Sequence, residues 1–437
     1  MGINRENIIL IQIHNHIFEV NMNSKERHEL RYQRRKLKRK IKENSKQEQC
    51  SFDNMLSPNK WIQATNKCKK NVFYKPSVQA YMSHPLINMY EHIKKIESGQ
   101  NPFKINTSRI IIRERGKERK IEPISFNKRI GEHVFCDHIY LPYFQNKMIY
   151  DNGASIKNRG TDFARRRILR HIEKAVREYG HNFYAWQFDF KSFFDSVAYA
   201  TCKRILTANF QDSRIVNFSF DSISEYTKGN IEINISVDPK LAEKIRDELK
   251  AGNGKGICLG SQNSQITALI VPNELDHLIK DVFAMLYYCR YMDDGVVLSN
   301  SKEKLKQLWA ACERMCQYLK LNFNTKKTKI VKMSKGFVFL KTKYQVLPNG
   351  KILRRPHRSG IVRNRRKLKR FSHLVSLHKM SLDDVYNSFQ SYYNHTKKIG
   401  KSFKTRKEML KQYRRLFGDY KLDQLLGGKK NAILQSA

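Results

Sequence analysis

The stretch YCRYMDDGVVLS, residues 288–299, decides how the chain folds around it. Apolar and aromatic residues lie on both sides of Met292, Asp293, Asp294 and Gly295. This pattern predicts a tight hairpin of two short strands with two adjacent carboxylates at its tip. Two ionised neighbours in an apolar setting repel each other, and a divalent cation removes that cost. Carboxylate oxygens are ligands that Mg²⁺ prefers, so a metal site is expected here.

A third carboxylate stands upstream in WQFDFKSFFDSV, residues 186–197. Asp189 ends a predicted apolar strand, 184–190, and a helix is expected to start soon after it. A carboxylate at a strand end beside the carboxylate hairpin can hold two metal ions a few ångströms apart. Such a pair activates a hydroxyl nucleophile and stabilises a leaving pyrophosphate in an in-line displacement. The other Asp-Asp pair, Asp383 and Asp384, is more simply a helix N-terminus.

The charge of the chain indicates a phosphate polymer as partner. Its 437 residues carry 84 Lys and Arg against 40 Asp and Glu, a net charge of +44, and 40% are hydrophobic. That apolar share excludes a wholly disordered chain, and the cationic field disfavours a small-metabolite enzyme. The longest apolar runs fall far short of the roughly 20 residues that span a bilayer, so no membrane partner is expected. Eight cysteines without a CxxC pair predict no zinc site and a reducing, cytoplasmic setting.

The order of these motifs resembles the palm of a reverse transcriptase, over about residues 105–345. Asp189 matches the first palm motif, and 291–294 match the YxDD motif. The segment LGSQNSQ, 259–265, matches the QGxxxSP motif, with Leu259 for Gln and Gln265 for Pro. In having Gln265 at this position, the chain resembles the diversity-generating-element and defence-associated bacterial reverse transcriptases. Residues 321–330 and 336–340 resemble the following motif and the primer grip.

The resemblance implies an α+β fold shaped like a right hand, with an RRM-like palm built on an antiparallel sheet. The divisions expected are a basic N-terminal extension and linker (1–60), fingers (61–185), the palm (186–345) and a basic helical thumb (346–437). In the last part we expect helices throughout, and 351–370 carry ten Lys and Arg and no acid. The basic segment 25–46 is interpreted as a nucleic-acid-binding arm, with a solvated tail as the alternative.

The resemblance also implies the site residues. Those expected at the catalytic centre are Asp189, Asp293, Asp294 and Lys327, and those at the metal site are Asp189, Phe190, Asp293 and Asp294. Those expected to contact the dNTP are Arg113, Arg119, Phe194, Gly260, Ser264 and Gln265. Those expected to contact primer or template are Tyr291, Met292, Phe339, Leu340, Arg354, Arg355, Arg358, Arg363, Arg365 and Arg366. The implied cofactor is a pair of Mg²⁺ ions, for which Mn²⁺ can substitute.

Several of these roles have a physical basis in the residues themselves. Arg113 and Arg119, on a predicted hairpin, can bind the β- and γ-phosphates of a triphosphate. The resemblance implies that Phe194 lies where the family has a bulky ring against the sugar 2′ position. A 2′-hydroxyl would clash with such a ring, which favours deoxynucleotides; the alternative is that Phe193 faces the site. Ser264 and Gln265 are expected to open a helix, about 264–280. Lys327 is placed either to protonate the leaving pyrophosphate or to contact a phosphate.

The expected function is therefore RNA-directed DNA synthesis from dNTPs, yielding nascent DNA. The preferred setting is a bacterial anti-phage defence system with a cognate noncoding RNA as template. The alternatives are a diversity-generating or other mobile element, a non-catalytic RNA-binding scaffold on the same fold, and a template-independent polymerase. Template identity, primer type and oligomeric state are not given by the sequence.

Overall fold

The computed structural model describes residues 44–103, 109–114, 117–121, 123–224, 231–232, 254–400 and 402–426, with single positions at 29, 30, 33, 34, 37 and 41. The predicted basic arm, 25–46, lies mostly outside the described residues. Within the part of the chain that is described, no helix is both long and apolar enough to cross a bilayer.

The helices of the described residues range in length from 4 to 19 residues. In chain order they are α1 (Pro58–Cys68), α2 (Pro76–Ser83), α3 (Pro85–Glu97), α4 (Phe126–Phe135), α5 (Leu141–Gln145), α6 (Thr161–Tyr179), α7 (Phe193–Ser196), α8 (Tyr199–Asn209), α9 (Ser213–Ser224), α10 (Gln262–Ile270), α11 (Asn273–His277), α12 (Lys302–Tyr318), α13 (Arg358–Ser376), α14 (Leu382–Lys397), α15 (Phe403–Phe417) and α16 (Leu422–Leu426). A 3₁₀ turn at Phe52–Leu56 and π-helical turns at Cys136–Tyr140 and Leu278–Val282 join them.

Within the described ranges the strands form three sheets. They are β1 (Arg109–Glu114), β2 (Lys117–Ile121), β3 (Tyr184–Asp189), β4 (Ile231–Glu232), β5 (Tyr288–Tyr291), β6 (Asp294–Ser299), β7 (Lys329–Lys332), β8 (Phe337–Phe339), β9 (Thr342–Val346) and β10 (Ile352–Pro356). The spatial orders are β2-β1-β4, β5-β6-β3-β7 and β10-β9-β8. Every pairing in the last two sheets is antiparallel. The expected mixture of helices with antiparallel sheet is therefore confirmed.

The chain divides into two compact units. Unit one comprises Met1–Ile105, Ile124–Asn146 and Leu206–Ser219. Unit two comprises Asn106–Pro123, Lys147–Ile205 and Phe220–Ala437, and it contains all three sheets. Unit one is held by an aromatic core in which Phe218 packs against Phe52, Phe103 and Phe135.

The four-stranded sheet of unit two is buried on both faces because successive side chains of a strand point to opposite sides. Ala185 and Val296 lie on one face and belong to the core cluster that includes Ile168 and Ile172 of α6. On the other face the Trp186 ring stacks on Trp309 of α12, with 6.1 Å between the centroids. Packing on both sides fixes the strands that carry the carboxylates.

The structure agrees with some local predictions and corrects others. The sequence also predicts a helix over about 161–179, which coincides with α6, and the predicted basic hairpin is formed by β1 and β2. The single helix expected over 264–280 is wrong, because it is broken into α10, α11 and a π-helical turn. Pro272 lies at the break; proline has no N–H to donate, and its ring crowds the preceding turn. The all-helical expectation after residue 346 is also wrong, since β10 precedes the first helix.

The C-terminal part of unit two is a small helical bundle. Helices α13, α14 and α15 pack around Leu368, Phe389 and Tyr413, which are all nearly inaccessible to solvent. The rings of Phe389 and Tyr413 stack with 4.3 Å between their centroids. This core lets the basic residues of α13 and α15 remain on the outside.

All eight cysteines are free and buried. Burial raises the pKa of the Cys68 thiol to about 11 and that of Cys202 to about 12. The thiols therefore act as small apolar core groups.

Gly295 makes the hairpin compatible with its neighbouring strand. It pairs with Phe188 of β3, and a Cβ atom at this position would collide with the tip of the Phe188 ring. A side chain here would push β6 away from β3. The glycine after the two aspartates is thus required by packing.

We predict that Gly295→Ala lowers the free energy of unfolding by about 1–3 kcal/mol, the usual cost of overpacking a core. Urea denaturation of the purified chain measures this change. Combining Gly295→Ala with Phe188→Leu makes room for the new methyl group, so the double variant should lose less than the sum of the two single losses. Strictly additive losses would contradict the proposed collision.

Candidate active site

Two of the predicted carboxylates are direct neighbours across the central sheet. Asp189 is the last residue of β3 and Asp294 is the first residue of β6, and the two are paired in the antiparallel register. Directly paired residues project to the same face of a sheet. Asp189 is 3% exposed, so its carboxylate lies at the buried end of the strand.

The third carboxylate lies in the turn of the hairpin. Tyr291 pairs with Asp294, which leaves Met292 and Asp293 as a two-residue turn. Met292 has φ +53°, a left-handed conformation that favours glycine. The Asp293 carbonyl accepts a hydrogen bond from the Phe190 N–H at 3.2 Å. The sequence predicted both aspartates at the tip, but only Asp293 lies there, because Asp294 already belongs to β6.

The neighbouring carboxylates Asp189 and Asp293 affect the pKa of Asp294. Partial burial, the charge of Asp293 and a hydrogen bond with Asp189 raise the pKa of Asp294 to about 8. This carboxyl therefore keeps its proton at neutral pH unless a cation stabilises the ionised form. The three carboxylates, when ionised, carry more negative charge than the neighbouring cation Lys327 can neutralise.

Lys327 provides the cation nearest to the cluster. Its Nζ lies 2.6 Å from Asp189 Oδ2, and the side chain is half exposed. Partial burial opposes the charge on this amine, but the hydrogen bond and the charge of Asp189 raise the pKa of Lys327 above its usual value. Asn324, three residues earlier, donates from Nδ2 to Asp189 Oδ1 at 3.3 Å and from its N–H to the Asp189 carbonyl at 2.7 Å. Sequence reasoning missed Asn324, although its spacing from Lys327 was visible.

The donor set fits a divalent cation in chemistry. Among the described residues no three His, Cys, Asp or Glu side chains stand ready as a metal cluster. The ammonium of Lys327 instead lies on Asp189, where it plays the part of a counter-ion. The carboxylate oxygens of Asp189, Asp293 and Asp294 are hard ligands of the kind that Mg²⁺ takes. Phe190 can add only its carbonyl, since its ring is buried and stacks on Phe323.

The aromatic pair after Asp189 is divided between core and surface. Phe193 is 4% exposed and stacks on Phe190, with 5.1 Å between the centroids. Phe194 is partly exposed, and its carbonyl accepts a hydrogen bond from the N–H of Ile257. Of the two rings, Phe194 is the one available to a ligand.

The segment that resembles QGxxxSP begins helix α10 two residues earlier than expected. The cap is Ser261, whose Oγ accepts a hydrogen bond from the N–H of Ser264 at 3.1 Å. Ser264 itself is fully buried, so its side chain does not face a ligand. Gln265 is exposed, and Gly260 has φ +121°, which only glycine adopts readily.

The two arginines predicted to bind a triphosphate lie on the hairpin β1–β2. Arg113 pairs with Glu118, and Arg119 pairs with Ile112, so their backbones stand at adjacent positions of the ladder.

The residues predicted to contact primer or template are in different environments. Tyr291 and Met292 are half-buried at the hairpin, whereas Phe339 is 1% exposed and belongs to the core, which leaves only its backbone for a primer. The Leu340 carbonyl accepts from Arg165 Nη2 at 2.9 Å. The arginines lie on β10 (Arg354, Arg355) and on α13 (Arg358, Arg363, Arg365, Arg366).

A comparison with known protein families matches the segment that contains the three carboxylates. A family model described as reverse transcriptase (RNA-dependent DNA polymerase) matches residues 115–344, which is more than half of the chain. The chain belongs to the reverse transcriptase family. All three carboxylates and Lys327 of this reverse transcriptase chain lie within the matched segment.

Other comparisons add little detail. No curated protein matches this reverse transcriptase chain. Among solved structures, an apo telomerase from Candida tropicalis, truncated from its C-terminal domain, is similar over 62% of this chain, with 15% identity and a TM-score of 0.41. The chain spans 60% of the length of that telomerase chain.

A basic groove lies between α13 and α15, outside the segment matched by the family model. Its volume is about 610 Å³. The lining residues are Val362, Arg365, Arg366, Lys369, Glu408, Lys411, Gln412 and Arg415. Five cations against one acid make this groove attractive to phosphate groups. The sequence predicted two of these cations; the others follow from i, i+3 and i+4 spacing once the two helices are known to be neighbours.

We predict that Asp294→Asn stabilises the metal-free protein at pH 8 by about 1–2 kcal/mol, after allowance for solvent screening. A carboxyl whose pKa is raised on folding contributes stability below its unfolded pKa near 4, and this stability is lost as the pH rises toward 8. The difference between variant and wild type should therefore shrink as the pH falls from 8 to 4. Urea denaturation in EDTA measures it, and a difference independent of pH would contradict the shifted pKa.

Proposed function

We propose that this chain is an RNA-directed DNA polymerase that adds dNTPs to a primer 3′-hydroxyl. The observation that carries the proposal is the pairing of Asp189 with Asp294, with Asp293 in the adjacent turn, inside a segment that matches the reverse transcriptase family. In this proposal the four-stranded sheet is the palm, the hairpin β1–β2 belongs to the fingers, and the C-terminal helical bundle is the thumb.

Asp189, Asp293 and Asp294, with the Phe190 carbonyl, would hold two Mg²⁺ ions, which Mn²⁺ can replace. When bound, such ions activate the hydroxyl nucleophile and stabilise the charge on the leaving pyrophosphate. The chain's own part is to pair Asp189 with Asp294 on one side of the sheet and to hold Asp293 in the adjacent turn. Lys327 holds a proton on Nζ within hydrogen-bond reach of Asp189, at the position from which a phosphate oxygen can be contacted.

The nucleotide and the nucleic acid would be bound by residues around the carboxylates. We assign the triphosphate to Arg113 and Arg119, the sugar to Phe194, and the backbone approach to Gly260. Gln265 is exposed at the start of α10 and can touch the template, whereas the buried Ser264 supports the helix. The basic groove and the exposed arginines of α13 supply phosphate contacts for the duplex.

We predict that Asp293→Ala abolishes incorporation of labelled dNTP on an RNA template with Mg²⁺, while the melting temperature and RNA affinity stay close to those of the wild type. The matched control is Asp383→Ala, which alters the other Asp-Asp pair; Asp383 is exposed and pairs with Lys421. That control should remain active. Retained synthesis by Asp293→Ala would contradict the proposed site, and equal synthesis without template would favour a template-independent polymerase.

A second readout tests the metal itself. Adding Mg²⁺ should raise the melting temperature of the wild type more than that of Asp293→Ala, because the variant lacks one of the ligands. Equal shifts would show that the cation does not bind at these carboxylates.

We predict that Phe194→Ala admits ribonucleotides. Without the ring, a 2′-hydroxyl no longer clashes, so the preference for dNTP over rNTP, as a ratio of kcat/KM values, should fall by roughly 10- to 100-fold. Phe193→Leu is the control, because Phe193 lies in the core and its change should leave the ratio intact. An unchanged ratio in Phe194→Ala would remove this residue from the sugar site.

For the biological role, we propose anti-phage defence in a bacterium, with a cognate noncoding RNA as template. The support is the resemblance of the segment ending in Gln265 to defence-associated and diversity-generating reverse transcriptases, together with the net charge of +44. Cells expressing the wild type should resist phage, and cells expressing Asp293→Ala should not. Sequencing the RNA that co-purifies with the chain identifies the template, and resistance retained by Asp293→Ala would favour a non-catalytic scaffold.

A further inference from the structure

A fully buried ion pair lies behind the catalytic hairpin. Arg290 of β5 and Asp276 of α11 are both completely inaccessible to solvent. Arg290 Nε donates to Asp276 Oδ1 at 2.8 Å, and its Nη2 donates to Oδ2 at 2.6 Å. Because Arg290 pairs with Gly295 in the ladder, it occupies the sheet position adjacent to Tyr291 and Asp294, and alternation puts it on the opposite face.

The remaining arm of the guanidinium reaches the turn that carries Asp293. Arg290 Nη1 donates to the carbonyl oxygen of Met292 at 2.9 Å. Met292 has φ +53°, a backbone conformation that residues other than glycine rarely adopt. The fork of Arg290 therefore links a buried carboxylate to a left-handed backbone position in the turn of the site.

The backbone of Arg290 is fixed as well. Its N–H donates to the Asp151 carbonyl at 3.2 Å, and its carbonyl accepts from the Gly153 N–H at 2.9 Å. The Asp151 carboxylate in turn binds Arg167 at 2.5 Å and Lys280 at 2.9 Å. Hydrogen bonds to the 151–153 segment therefore fix the outer side of the edge strand β5. A displaced guanidinium would for this reason shift the turn at Met292 rather than the strand.

We propose that Arg290 and Asp276 are positioning residues that set the geometry of the catalytic turn through the Met292 carbonyl. Asp276 orients the guanidinium, and the guanidinium holds the turn in the conformation that keeps Asp293 beside Asp189 and Asp294. This inference rests on the proposed catalytic role of those three carboxylates. Neither positioning residue touches substrate or metal.

The buried ion pair is better explained by a positioning role than by a contribution to stability. Removing two charges from water is costly, and a buried pair replaced by well-packed apolar residues often leaves stability unchanged or improved. A chain that needed only a stable core would be served equally well by such residues. An apolar pair, however, has no donor for the Met292 carbonyl.

The test replaces both partners together, as Asp276→Leu with Arg290→Met. We expect a melting temperature close to that of the wild type and a kcat for dNTP incorporation lower by on the order of 100-fold. The KM values for dNTP and primer–template should change by less than about threefold, and the Mg²⁺ concentration for half-maximal rate should rise, because the carboxylates are held less well. A kcat within threefold of the wild type would overturn the proposal.

Two single variants keep the test decisive. Tyr288→Phe is the matched control: it removes the 2.6 Å hydrogen bond from the Tyr288 hydroxyl to the same Asp276 oxygen, at an equally buried position, but leaves the link from Arg290 to Met292. Its kcat should stay within twofold of the wild type. Arg290→Lys keeps the charge but loses the fork, since one ammonium cannot serve both Asp276 and Met292. It should lose kcat even if the double variant fails to fold, because a single nitrogen on a shorter head group cannot reproduce the separate Nε, Nη1 and Nη2 contacts of Arg290. Wild-type kcat in Arg290→Lys would overturn the proposal.

The outcome for Asp293→Ala separates this inference from the proposed function. If Asp293→Ala is inactive while Arg290→Lys has full kcat, the site is correct and the positioning role is wrong. If Asp293→Ala remains active, the site itself is wrong.

Discussion

The site depends on the antiparallel register between β3 and β6, which places Asp189 directly across from Asp294. Two carboxylates at paired positions repel each other once both are ionised, so other contacts have to hold these strands together in that state. Burial on both faces provides them, with α6 packed against one face and the ring of Trp309 against the other. The fold keeps together two groups that would separate if the sheet were less well packed.

Two cationic side chains lie near these carboxylates, and only one of them acts on a carboxylate of the site. Lys327 contacts Asp189 directly, and its side chain is half exposed. Arg290 is buried and donates to the backbone of the turn rather than to one of the three carboxylates. The two side chains have the same charge but different tasks, since an exposed lysine can exchange partners and a buried arginine with a fixed fork cannot.

The local sequence predicted those features that depend on near neighbours. The hairpin at 288–299, the helix over 161–179 and the β1–β2 ribbon follow from periodicity, turn residues and short separations. The sequence did not predict the pairing of Arg290 with Asp276, the burial of Phe339 or the contact of Asn324 with Asp189, because each depends on elements that meet only in the folded chain. The break at Pro272 was visible in the sequence, but the apolar spacing around it suggested one continuous helix.

The distribution of the thiols has a consequence for how this chain meets its surroundings. Three of the eight cysteines lie in unit one and five in unit two, and every one is enclosed by the core. In the folded chain, oxidants and electrophiles therefore find no cysteine thiol at the surface. Reaction of any cysteine with a thiol reagent would report a transient opening of the unit that contains it. The rate of this reaction therefore measures local unfolding of each unit.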